Sequence, residues 1–184
     1  MAILMRRNNV ICILIYLLLA VCFITPIGAR GAKVREYEVK AAFLFNFAKF
    51  VEWPAGAFPK NDSPFVIGVL GDDPFDHDLE KAVKDKKVKD RKIVIKRFKR
   101  ISDLENCQIL FVSSSEKDRL AAIFKKVNSK PILTVGDVSG FARRGGVINL
   151  IRRDKTIGFE INPKAADKAG LKISSQLLRL AKIV

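Results

Sequence analysis

Apolar positions follow two rhythms along this chain. From Phe65 to Leu70 every residue is apolar or glycine, and Gly71 stops the run. Such an unbroken stretch predicts a strand covered on both faces. Residues 108–112 and 131–135 repeat the pattern, the second closed by Gly136 and Asp137. Between these runs the apolar residues recur at helical spacing: Leu79, Ala82 and Val83, then Leu120, Ile123, Phe124 and Val127. Residues 91–98 alternate instead. Ile93, Ile95 and Arg97 fall on one side, and Lys92, Val94, Lys96 and Phe98 on the other. That predicts a strand with at least one wetted face.

Local signals mark the boundaries. Asp72 or Asp73 can cap a helix with Pro74 at its first position. Ser113 with Glu116, or Ser115 with Asp118, has the spacing of a capping box. Gly145 and Gly146 lead into residues 147–151, and residues 152–155 turn the chain back through Thr156–Ile161 as an antiparallel hairpin. Pro163 opens a helix that Gly170 ends. Ser174 or Ser175 caps a last helix, with Leu177, Leu178, Leu180 and Ile183 expected inward. Strands and helices alternate from residue 65 to about 136, the βαβ pattern of a parallel sheet. The expected fold is α/β: a three-layer sandwich with a mostly parallel mixed sheet, helices on both faces and a C-terminal antiparallel hairpin.

Residues 40–54 break the rhythm. They hold Phe43, Phe45, Phe47, Phe50 and Trp53, the only tryptophan of the chain. Phe43, Phe47 and Phe50 share one helical face, and Ala41, Leu44, Ala48 and Val51 flank it. Asn46, Lys49 and Glu52 make only a narrow polar stripe, so a helix here must be covered around most of its circumference. Pro54 ends it, lacking an amide donor. The stretch is too short and too charged to span a bilayer. Two readings stand: a central core helix, or one whose aromatic face is also a pocket wall or docking surface.

The first residues belong to a different class. Arg6 and Arg7 precede an apolar run from Val10 to Ile24, followed by Thr25, Pro26, Ile27, Gly28 and Ala29. A basic start, an apolar stretch and a small-residue exit predict a secretory signal over residues 1–29. Residues 30–184 then form a single domain, large enough for a proper core. This makes the expected location periplasmic. The formal net charge of +15 suggests nucleic acid or an anionic membrane as partner. Export argues against nucleic acid, and the basic residues are spread out, densest over residues 81–100. A solvated surface, an anionic headgroup or an acidic protein remains. Of three cysteines, Cys12 and Cys22 lie in the leader, so Cys107 stands alone and reads as a buried, inert thiol.

Catalytic chemistry finds little support. Asp72, Asp73, Asp76, His77 and Asp78 come after the end of a buried strand, where α/β proteins often bind ligands. Capping and the helix dipole account for acids in that place. Ser113, Ser114 and Ser115 lack a nucleophile-elbow motif, and a single histidine would have to serve as base. No dinucleotide fingerprint or phosphate-cradling loop occurs. No catalytic residue, metal ligand or cofactor is assigned, and the composition points to a binding or regulatory protein.

Several segments, in order, carry a family resemblance: KAAFLFNFAKFVEWP, FVIGVLGDDPF, CQILFVSSSE, PILTVGDVSGFARRGGVINLI and IGFEINPKAADKAGLKISSQLLRLA. Together they resemble the YfiR-like family from about Glu36 to the end. That resemblance implies an exported α/β protein, in the best-known case a repressor of an inner-membrane diguanylate cyclase, acting through the enzyme's periplasmic sensor domain to control cyclic di-GMP and biofilm. The partner expected is thus the periplasmic domain of a diguanylate cyclase or a sensor kinase, with a homodimer and peripheral contact with anionic membrane as further expectations. Some members carry disulfide pairs, which Cys107 alone cannot form. Partner or ligand contacts are expected at Phe47, Phe50, Glu52 and Trp53, and at Phe159, Glu160 and Asn162. The alternative is a periplasmic module that binds a small molecule in an aromatic pocket. For both segments a purely structural role competes: packing for the aromatics, capping for Asn162.

Overall fold

The computed structural model describes residues 27–154 and 156–184. The leader expected over residues 1–29 lies, up to residue 26, outside the described residues. The chain divides into two compact units, residues 1–34 and 35–184. Residues 27–34, the described part of the first, are helical. Every described strand lies in the second. Among the described residues no helix is long and apolar enough to cross a membrane.

The order of elements runs α1 (Ile27–Phe50), β1 (Val51–Glu52), β2 (Phe65–Leu70), α2 (Asp78–Val83), β3 (Lys87–Val88), β4 (Arg91–Phe98), β5 (Ile109–Val112), α3 (Leu120–Val127), β6 (Leu133–Gly136), β7 (Ile148–Arg153), β8 (Thr156–Ile161), α4 (Pro163–Lys168), β9 (Lys172–Ile173), α5 (Ser175–Leu180) and β10 (Lys182–Ile183). Eight strands form one sheet in the order β10-β8-β7-β6-β5-β2-β4-β3, and β1 pairs with β9 apart from it. The centre, β4-β2-β5-β6-β7, is parallel throughout. β7 and β8 form the expected antiparallel hairpin, and β10 adds in parallel beyond β8.

The period-2 geometry of the strands divides the interior into two cores. Phe65, Ile67 and Val69, with Ile109, Phe111, Leu133 and Val135, face α1, α2, α4 and α5. Val66, Leu70, Leu110 and Val112 face the other way, onto α3, Cys107 and Phe141. All six residues of β2 are buried, as the unbroken apolar run predicts. The result is the expected sandwich with helices on both faces of the sheet.

Four local expectations need correction. The aromatic helix stops at Phe50, and Val51–Glu52 leaves it to pair with Lys172–Ile173. The β-branched Val51 is drawn into a strand because β9 offers its backbone a partner. Asp73 does not cap α2: its Oδ1 accepts from the amide of Phe75 at 2.8 Å, a local turn, and the helix begins only at Asp78. The serine run caps a single 3-10 turn, Ser114–Glu116, and α3 starts four residues later. Last, Leu180 is 73% exposed and Ile183 is 52% exposed, where an inward orientation was expected. Ile183 lies in an edge strand, and Leu180, the last residue of α5, turns to solvent.

Candidate functional site

In open α/β sheets the customary binding crevice lies where the strand order reverses. Here that point lies between β2 and β5. The chain closes it with its own side chains. The hydroxyl of Ser115 accepts the amide of Asp72 at 3.0 Å. Glu116 is buried beside it and bound by Arg119 at 2.6 and 2.9 Å. Gly71, at φ +89, is required there: a Cβ would stand 2.4 Å from Ser115 Oγ. Asp73 nearby also has a structural partner. Arg97 reaches across from β4 to Asp73 Oδ2 at 2.6 Å and to Glu80 at 2.8 Å.

The seven expected contact residues fall into three places. Phe47 and Phe159 lie in the larger core, 0% and 4% exposed, with ring centroids 5.3 Å apart. Phe43 packs against both, at 5.7 and 5.5 Å. A partner cannot reach these rings without opening the fold. Phe50, Glu52 and Trp53 sit at the corner made by β1 and β9. Phe50 is half-buried and its carbonyl accepts from the amide of Ser174, while Glu52 is exposed opposite Lys172. Trp53 stands edge-on to Phe65 with centroids 5.0 Å apart, and its Nε1 donates to the carbonyl of Gln108 at 3.1 Å. Beside it lies a cavity of about 190 Å³, lined by Trp53, Phe58, Phe65, Val88 and Arg91. The Arg91 guanidinium caps the Phe58 ring at 4.0 Å.

Glu160 and Asn162 mark the third place. Glu160 points to the opposite face of β8 from Phe159 and is 7% exposed. It accepts from Asn149 Nδ2 at 3.3 Å and pairs with Lys182 at 3.3 Å, so one row of polar side chains crosses β7, β8 and β10. Asn162 caps α4, accepting from the amide of Ala165 at 3.0 Å, and its Nδ2 donates to the carbonyl of Ala142 at 2.8 Å. The expected set therefore does not form one surface. Its accessible part is Phe50, Glu52 and Trp53 at one corner and, apart from them, the half-buried Asn162.

Two groupings escaped the sequence. Gln108, read only as part of a strand, is buried and ties three segments together: its Oε1 accepts from the amide of Val66 at 2.8 Å, and its Nε2 donates to the carbonyl of Ala57 at 2.7 Å. The other joins α1 to the end of β6. Lys40, 4% exposed, binds Glu36 and Asp137 at 2.6 Å each. The Tyr37 hydroxyl donates to Asp137 at 2.9 Å. Burial, then the Asp137 and Glu36 carboxylates, raises the Tyr37 phenol above its ordinary range. Some hundred residues separate Asp137 from Tyr37 and Lys40, so no local spacing announces that contact. The Cys107 thiol behaves as expected: it is 3% exposed, and burial pushes it up to about 12, against the opposing pull of Lys130 and Lys96.

Comparison with solved structures finds the ABC domain in complex with L-Trp from Streptococcus pneumonia, at 12% identity over 65% of this chain, with a TM-score of 0.49. A conserved domain protein from Vibrio cholerae O1 biovar El Tor str. N16961 matches at 14% identity over 64% of this chain, with a TM-score of 0.47. This chain covers just over half of each, 56% and 54%. Among curated proteins none matches. A family model described as YfiR/HmsC-like matches residues 37–182, nearly the whole of the second unit, and the chain belongs to that family.

Proposed function

We propose that this chain is an exported, non-catalytic regulator that binds the periplasmic sensor domain of an inner-membrane signalling protein, in the first place a diguanylate cyclase, and holds it inactive. The observation that carries this reading is the YfiR/HmsC-like match across residues 37–182. The geometry is consistent with it. Ser115 and Glu116 fill the crevice at the strand-order reversal, which leaves surface recognition as the mode of binding. A regulator of this kind acts by binding one state of its receptor better than the other; a hundredfold difference in affinity is worth about 2.7 kcal/mol. The docking surface proposed is the corner of Phe50, Glu52 and Trp53, where an exposed charge adjoins half-buried aromatics.

The test is cyclic di-GMP content in cells with and without the protein, combined with co-purification of the cyclase's periplasmic domain. Deletion should raise cyclic di-GMP, and Glu52→Lys should do the same while leaving the melting temperature within a few degrees. Unchanged cyclic di-GMP on deletion, or recovery of the protein from the cytosol alone, overturns the reading.

The small-molecule alternative rests on the cavity beside Trp53. At about 190 Å³ it is below the usual size of ligand pockets, roughly 300 Å³ and more. It would accept a single ring, with Arg91 as the polar contact. Saturable quenching of Trp53 fluorescence by such a compound, lost in Arg91→Ala, would support this second reading.

A further inference from the structure

A groove of about 480 Å³ lies elsewhere, between α3 and α4. Its floor is apolar: Phe124 and Val127 from α3, Ile132 ahead of β6 and Val147 ahead of β7. Gly145, at φ +119, lets the loop pass Phe124; a Cβ there would already meet the ring at 3.4 Å. Thr134, buried in the same wall, accepts the amide of Val147 at 3.0 Å and keeps its hydroxyl proton for another acceptor.

The rim is cationic and has no counter-charge. Lys125, Arg143, Arg144, Lys164 and Lys168 line it, and no carboxylate does. All five are exposed, and none takes part in an ion pair among the described residues. Other exposed cations, such as Lys84, Lys87 and Lys92, also have no ion pair among the described residues, and what sets these five apart is that they share one concavity. Elsewhere Arg97, Arg100, Arg119, Arg152 and Lys182 each have an acidic partner. Five unneutralised cations around one concavity create a positive potential that low-dielectric walls concentrate. Two adjacent arginines suit a phosphate, whose oxygens accept their forked donors.

We propose that this groove binds a phosphate-bearing small molecule, its anionic group among Arg143, Arg144, Lys164 and Lys168 and its apolar body over Phe124 and Ile132. The site is separate from the Trp53 corner and stands whether or not a cyclase is the receptor. A soluble phosphate ester and a phospholipid headgroup offer the same chemistry, and the assay separates them.

Purified protein of native sequence is titrated calorimetrically with phenyl phosphate, inorganic phosphate and phenol, and sedimented with phosphatidylcholine vesicles with and without phosphatidic acid. Saturable binding of phenyl phosphate is expected, stronger than that of inorganic phosphate, undetectable with phenol and weakening with salt. Arg143→Ala with Arg144→Ala, and separately Lys164→Glu with Lys168→Glu, should each weaken it by about tenfold or more. The lysine pair also guards against a folding artefact, since those side chains are exposed and unpaired. Sedimentation with phosphatidic acid vesicles, sensitive to the same variants, identifies a lipid headgroup as the source; its absence with phenyl phosphate binding intact identifies a soluble ester. Binding that neither double variant weakens overturns the proposal, as does the absence of saturable binding by any phosphate probe.

Discussion

At the scale of single residues, the interior depends on close approaches that leave no tolerance. Gly146 sits where a Cβ would come within 2.1 Å of the fully buried Phe141 ring, and Gly136 meets the same ring at 2.6 Å. Gly146→Ala should lower stability by about 1–3 kcal/mol or more in urea unfolding, because Phe141 has nowhere to move. The pair Gly145–Gly146 was legible as a tight lead into the hairpin, but which aromatic ring it admits was not. Tyr37 gives a pH signature. Its folded phenol holds its proton more tightly than the unfolded one, so its contribution is present below about pH 10 and is lost as pH rises above it. Tyr37→Phe should flatten the fall in melting temperature on the alkaline side.

At the scale of elements, caps were legible at the two C-terminal helices but not earlier, where Asp73 makes a turn and the serine run caps only a 3-10 turn. Asn162 ahead of Pro163 and Ser174 ahead of α5 both cap as expected, the second accepting from the amide of Leu177 at 3.2 Å. Asn162→Ala should cost about 1–2 kcal/mol, read from the denaturation midpoint, because it removes the cap and also the bond to the carbonyl of Ala142. Ser174→Ala, which removes the cap alone, should cost less. Strand identity was legible wherever an apolar run was unbroken. The boundaries that moved had partners distant in sequence: β1 leaves the aromatic helix because β9 is there, and β10 exposes Ile183 because it pairs at an edge.

At the scale of the molecule, the sheet edge at β8 and β10 distinguishes a structural charge from a surface one. Glu160 is buried and serves Asn149 and Lys182, whereas the Lys182 side chain is 53% exposed. Glu160→Lys should destabilise by roughly 1–3 kcal/mol, since it leaves Asn149 without its acceptor and sets two cations together. Lys182→Glu should cost less, and the double exchange should recover part of the loss, measured as a double-mutant cycle. Release of a receptor by Glu160→Lys would thus report on folding, which is why Glu52 carries the functional test. Of the candidate site, the sequence singled out aromatic and charged residues. It could not separate Phe47 and Phe159, which the core consumes, from Trp53, which borders a cavity.

The order of apolar runs, the caps and the glycine stops determined the α/β class by themselves, because each is a local consequence of backbone geometry and side-chain period. Only the tertiary structure decided which polar and charged groups met: Lys40 with Asp137, Gln108 with Val66 and Ala57, and five cations around one groove with no acid. Those juxtapositions join residues far apart along the chain, and their energies depend on burial that no local stretch specifies.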